Sequence, residues 1–184
     1  MQSTTTTFPV HTLESAPSDS RETLEQLKAS VGMIPNLAAA MSESPVLIRG
    51  FAAVKGATDS GTLGPQIREI VLLSNASFNQ CRYCTAIHST FALGGGIDEA
   101  SVEAVRSGGL PDDPKMKAAV KFSRLLLERK GGVSDKELDE FLAAGFEPSH
   151  ALEIVALIAQ SIMANFSGHL TAAPPDDAIK AQYR

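Results

Sequence analysis

Apolar positions along the chain recur at intervals of three and four, and Gly or Pro interrupts them at short distances. Leu24, Leu27 and Val31 share one face of a helix over 21–31, and Gly32 stands where a helix end calls for a left-handed residue. Pro35 and Asn36 start a short helix through Met41. Ser44-Pro45 joins a capping hydroxyl to a Pro suited to the first turn, and opens a helix to about Thr58. After a turn over 61–64, Pro65 opens a helix with Ile67, Ile70, Val71 and Ser74 inward, ending near Phe78. Asn79 is the expected cap of the next helix, over 81–93, which Gly94-Gly95-Gly96 breaks.

The second half reads the same way. Asp98 caps a short helix to Ser107, Asp113-Pro114 opens a longer one to about Arg129, and Ser134 with Glu137 forms a capping box for a helix to Ala144. Ser149 is the expected cap of a last long helix, rich in Leu, Ile, Val and Ala, ending near Phe166 or Gly168. No segment alternates apolar and polar residues in the manner of a strand. The pattern predicts an all-α, single-domain helical bundle of about eight helices over 19–175. Residues 1–18 read as a flexible N-terminal tail that Phe8 and Val10 could anchor, and 176–184 as a C-terminal tail.

Composition narrows this picture. Of 184 residues 43% are hydrophobic, Trp is absent and aromatics make up 5%, so the core must rest mainly on Ala, Leu, Ile and Val. A net charge of -5 with no Lys/Arg run offers no footprint for nucleic acid. No run of about 18 consecutive apolar residues suggests a membrane span, and the Thr- and Ser-rich start lacks the basic and apolar regions of a secretory signal, so the expected setting is cytoplasmic. The two cysteines, Cys81 and Cys84, stand three apart, which points to redox chemistry or metal binding rather than a disulfide scaffold.

The segment that can carry chemistry runs from Glu69 to His88. On one helix, Cys81, Cys84 and His88 fall at offsets of three and seven and share a face, so the two sulfurs can meet with an imidazole one turn beyond. A cysteine in a helix's first turn has its thiolate favoured by unpaired N–H groups. A thiolate, a neighbouring thiol and a base are the parts needed to reduce a peroxide through a sulfenic acid and then a disulfide. Glu69, on the preceding helix, points inward from an apolar stretch and would face the cysteines if the two helices pack antiparallel.

Glu69, eleven intervening residues, then Cys81-x-x-Cys84-x-x-x-His88 resembles the signature of the alkylhydroperoxidase D-like branch of the carboxymuconolactone decarboxylase superfamily. Gly32-Met-Ile-Pro-Asn36 with Ser44-Pro45, and Asn165-Phe-Ser-Gly-His169 before Pro174, resemble that family's entry and closing helices. The resemblance implies an all-helical homo-oligomer, a trimer or hexamer. It implies Cys84 as the thiol that attacks peroxide, Cys81 as the resolving thiol, and Glu69 and His88 as a proton relay. Members often carry a His between the two cysteines, where this chain has Tyr83. The expected function is a thiol-dependent peroxidase or disulfide reductase for alkyl hydroperoxides, fed by an external dithiol donor and needing no bound cofactor.

Other readings are a lactone decarboxylase of the same superfamily, and a non-enzymatic redox sensor or zinc-binding protein using the same cysteines. Haem attachment is excluded because Thr85, not His, follows Cys84. Of the remaining candidates, His150 reads as structural, His11 as solvated, Tyr83 as packing, and Arg82 as a surface residue whose charge could help a thiolate. Asn165 and His169 read as lining a subunit contact.

Overall fold

The computed structural model describes residues 8–183. Nine α-helices and a closing 3₁₀ turn are present among them, with no strand. The helices are α1 (Ser18–Val31), α2 (Asn36–Met41), α3 (Pro45–Asp59), α4 (Pro65–Phe78) and α5 (Arg82–Gly94), then α6 (Glu99–Arg106), α7 (Pro114–Glu128), α8 (Asp135–Ala143) and α9 (Pro148–Thr171). The 3₁₀ turn spans Asp177–Gln182.

The predicted caps mostly form. The Ser44 side chain accepts from the Leu47 N–H, Asp98 from Ser101 and Asp113 from Met116, and Ser134 with Glu137 makes the full capping box. α9 differs. Pro148 suits a first helical position, so the helix begins one residue before Ser149. The Glu147 N–H then donates to His150 Nδ1 at 2.9 Å, which gives His150 a structural task. At the other end α9 continues through Gly168 to Thr171.

α4 is the central helix. α5, α6, α7 and α9 all pack on it, and Ile70, Val71, Leu73 and Ala76 are fully buried. Asn75, also fully buried, ties three helices together: its amide donates to Ser161 Oγ at 3.2 Å, and Ser123 Oγ donates to its carbonyl at 2.7 Å. Such pairing offsets the cost of a buried amide.

The core has three clusters, one of them around Ile70, Leu73, Val105 and Val120, and the other two contrast. One gathers small and aliphatic side chains of α1, α2, α3, α5 and α9 with both cysteines, including Leu24, Met41, Ile48 and Ala164. The other, between α7, α8 and α9, stacks Phe122, Phe141 and Phe146 with successive ring centroids 4.3 Å apart.

By length and composition α9 could cross a membrane, since its most apolar 18-residue window has a mean hydropathy of 1.4. In the bundle it is a packing helix, with Gln160, Ser161 and Asn165 buried beside Ile154 and Leu157.

Residues 1–7 of the expected N-terminal tail lie outside the described residues. The stretch from Leu13 to Ala16 packs against the body. Ala16 is buried, Leu13 packs beside it, and His11, expected to be solvated, bonds Glu43 at 2.7 Å and Ser15 at 3.2 Å. Val10 is exposed and does not serve as an anchor. At the other terminus Asp176 and Ile179 are buried, so this segment also lies on the bundle, against α5.

Candidate active site

The site begins with the turn between α4 and α5. Asn79 closes α4, Gln80 takes a left-handed φ of 57°, and the Cys81 N–H returns to the Ala76 carbonyl at 3.0 Å. This reversal brings Cys81, rather than the expected Asn79, to the N-cap of α5. There Cys81 Sγ accepts from the Cys84 N–H at 3.4 Å, and the Cys81 carbonyl takes the Thr85 N–H at 2.8 Å. The sulfur thus occupies the position of a capping oxygen, where the free N–H groups of the first turn favour negative charge.

Both cysteines are free thiols and buried. The Cys84 thiol donates to Cys81, and this bond is the main reason the Cys81 pKa falls from 9.0 to about 7. Burial works against the drop, while the Cys84 N–H and then the imidazoles of His169 and His88 add to it. Cys84 is pushed well above the ordinary thiol range because it is the donor of that bond, is buried, and sits beside the Cys81 charge. The pair therefore shares one negative charge, held at rest on Cys81.

α9 grips the dithiol from the opposite side. A Cβ at Gly168 would lie 2.8 Å from Cys81 Sγ, so only glycine allows α9 to come this close. Asn165 is 1% exposed, and its carbonyl accepts the Asn79 amide at 2.8 Å. That bond leaves the Asn165 NH₂ to face Cys84, where it favours the thiolate. His169 bonds the Asn79 carbonyl at 2.8 Å. Asn165 and His169, expected at a subunit contact, thus touch the turn and the sulfurs of their own chain.

Glu69 and His88 meet, as antiparallel packing of α4 on α5 requires. Glu69 Oε1 lies 2.5 Å from His88 Nδ1, with each side chain 16% exposed. A carboxylate on one ring nitrogen orients the imidazole and fixes which nitrogen can face a reactant. His88 and Cys84 both line an apolar cavity of about 90 Å³, walled by Leu37, Met41, Phe51 and Ile87 among others. At roughly 10–15 Å³ per water-sized site, this is room for a small organic group. Cys81 lies outside the cavity lining.

Tyr83 shares the cavity wall, but its hydroxyl faces away. It donates to Asp176 and accepts the Leu37 N–H at 3.4 Å, while Asp176 also takes the Asn36 N–H at 3.0 Å. Burial first, then the Asp176 bond, drives the Tyr83 pKa upward, so this phenol stays neutral. Arg82 lies over the Tyr183 ring at 4.8 Å and serves the C-terminal segment. Among the described residues, no group of three or more His, Cys, Asp or Glu is placed to share a metal ion.

The chain is an all-helical bundle with a buried Cys-x-x-Cys at the mouth of its fifth helix, and comparison with known proteins finds similar folds. Residues 45–124 match the model of the carboxymuconolactone decarboxylase family. The fold is similar to an alkylhydroperoxidase AhpD core, an uncharacterised peroxidase-related protein from Ralstonia eutropha JMP134 (TM-score 0.82, 22% identity, covering 94% of this chain and 93% of that one). A peroxidase-related protein from Silicibacter sp. TM1040 gives a TM-score of 0.78 at 19% identity, covering 100% and 97%. The debrominase Bmp8, solved as a cysteine-to-alanine variant with 2,3,4-tribromopyrrole, gives 0.78 at 17%, covering 99% and 97%. No curated protein matches the sequence. The family match thus spans the segment that holds Glu69, both cysteines and His88, and the fold is similar to that of an AhpD core.

Proposed function

We propose that the protein reduces organic hydroperoxides with the Cys84/Cys81 couple. The observation that carries this reading is that Cys84 and His88, the latter backed by Glu69, face one apolar cavity while Cys81 stands behind as a stabilised thiolate. As a hydroperoxide approaches, the Cys84 proton passes to Cys81 along their bond, and the Asn165 amide holds the charge now on Cys84. Cys84 attacks the terminal peroxide oxygen. The O–O bond breaks, the alkoxide leaves with a proton from His88, and Cys84 becomes a sulfenic acid. Cys81 then attacks the Cys84 sulfur, forming a disulfide and releasing water. One hydroperoxide and two thiols give one alcohol, one water and one disulfide, which an external dithiol reduces again. A reducing setting such as the cytoplasm supplies dithiols.

The roles are tested by trapping. In Cys81→Ser, one equivalent of cumene hydroperoxide should leave Cys84 as a sulfenic acid that dimedone captures. In Cys84→Ser, Cys81 should stay a thiol. Capture at Cys81 instead would reverse the two roles.

The debrominase's similar fold and the apolar lining of the cavity favour one second reading, reduction of a carbon–halogen bond by the same couple. In that case Cys84 takes the halogen, the carbon takes a proton, and Cys81 releases halide as the disulfide forms. Halide freed from a brominated pyrrole, with no thiol loss to hydroperoxide, would select it. The lactone decarboxylase reading makes no use of a dithiol whose Cys84 lines the cavity. We also propose that copies assemble, as a trimer or hexamer, through the exposed Leu152, Val155, Phe166 and Leu170 of α9.

A further inference from the structure

We infer that the preferred substrate is an amphipathic anion, an apolar organic hydroperoxide with a carboxylate at its far end. This rests on the peroxidase reading and adds the substrate class. Its basis is a second cavity, of about 370 Å³ and polar, whose wall includes Lys55, Asp59, Arg68 and Glu69. The two cavities share Val31, Lys55, Leu72, His88, Phe91 and Gln160, so they adjoin each other with His88 on their common wall.

The vestibule sets two cations against two carboxylates, but they are unevenly paired. Lys55 Nζ lies 2.5 Å from Asp59, Arg68 Nε lies 3.7 Å from the same carboxylate, and Arg68 Nη1 donates to the Asp59 carbonyl at 3.2 Å. One carboxylate thus faces two cations. The Asp59 side chain is 41% exposed against 24% for Lys55 and 22% for Arg68, so water screens the anion more than the cations. The Glu69 carboxylate is taken up by His88 Nδ1 at 2.5 Å, which leaves Asp59 as the carboxylate that Lys55 and Arg68 share. Two cations on one solvent-screened carboxylate leave donor capacity for an incoming carboxylate at this end, away from the thiolate. Lys55 borders both cavities, so its stem can lie along an apolar body while its ammonium meets the head group. The hydroperoxide end enters the apolar cavity beside Cys84.

The test uses the fully reduced, full-length protein and follows single-turnover thiol loss with cumene hydroperoxide and with its para-carboxylate. The carboxylate should react about fivefold faster or more at low salt, and the preference should shrink as salt screens the vestibule. In the double variant Lys55→Gln/Arg68→Gln the ratio of the two rates should fall towards one. Equal rates in the unaltered protein, or a preference unchanged in the variant, overturn the inference and leave the peroxidase reading standing. If neither hydroperoxide consumes thiols, both fall together.

Discussion

The two ends of the bundle are built on opposite principles. At the far end, Phe122, Phe141 and Phe146 stack face to face, and the space between α7, α8 and α9 is filled by large rings. At the dithiol end the side chains are small, and helix backbones come close enough for Gly168 to touch Cys81. The first arrangement stabilises by burying area. The second holds polar and ionisable groups where each needs a specific partner: Cys81 with Cys84, Cys84 with Asn165, Glu69 with His88, Tyr83 with Asp176. Tolerance to change should differ accordingly. Loss of volume at the aromatic end should cost stability, and a gain of one methyl group at the dithiol end should cost chemistry.

The greatest loss should come at the aromatic end. Phe141→Ala should lower unfolding free energy by about 3–5 kcal/mol, read from denaturant melts, because Phe141 is fully buried between two rings. Thiol reactivity of the folded fraction should be unchanged; a change would show that the two ends are coupled. Next is Gly168→Ala. Its methyl would sit 2.8 Å from Cys81 Sγ, a sulfur held in place as the cap of α5. A cost of about 1–3 kcal/mol is expected, together with slower disulfide formation under oxidant. Unaltered disulfide formation would mean the sulfur has room to move.

The mildest change is a pH shift. Cys81 is the acid whose pKa is lowered, so its alkylation rate in a pH series should rise through about pH 7 and fall below it. In Cys84→Ala the leading cause is removed, and the midpoint should climb towards 9.0. A midpoint that stays near 7 would assign the effect to the helix N-terminus and the imidazoles instead.

What could be read from the sequence was what is local. Gly, Pro and the capping residues mark helix ends within a few positions, so the all-α order was legible. Glu69, Cys81, Cys84 and His88 lie within one helix–turn–helix stretch whose offsets can be placed on a face. Less legible were contacts that cross the fold. Asn165 and Gly168 come from α9, far along the chain from the cysteines, and the Asp176 partner of Tyr83 is 93 positions away. Apolar periodicity reports which face is buried but not which polar atom meets which. The cap of α5 was misplaced for a different reason: Gln80 takes a left-handed conformation that its residue type does not announce, and this moves the cap from Asn79 to Cys81.

The proposed chemistry stands on Cys84 and Cys81 acting as one redox couple that opens on an organic-sized cavity. A free-thiol count on fully reduced protein, before and after one equivalent of an organic hydroperoxide, addresses this without any variant. Both thiols should disappear together and return with a dithiol reductant. A folded protein that keeps both thiols would refute the couple as a peroxidase.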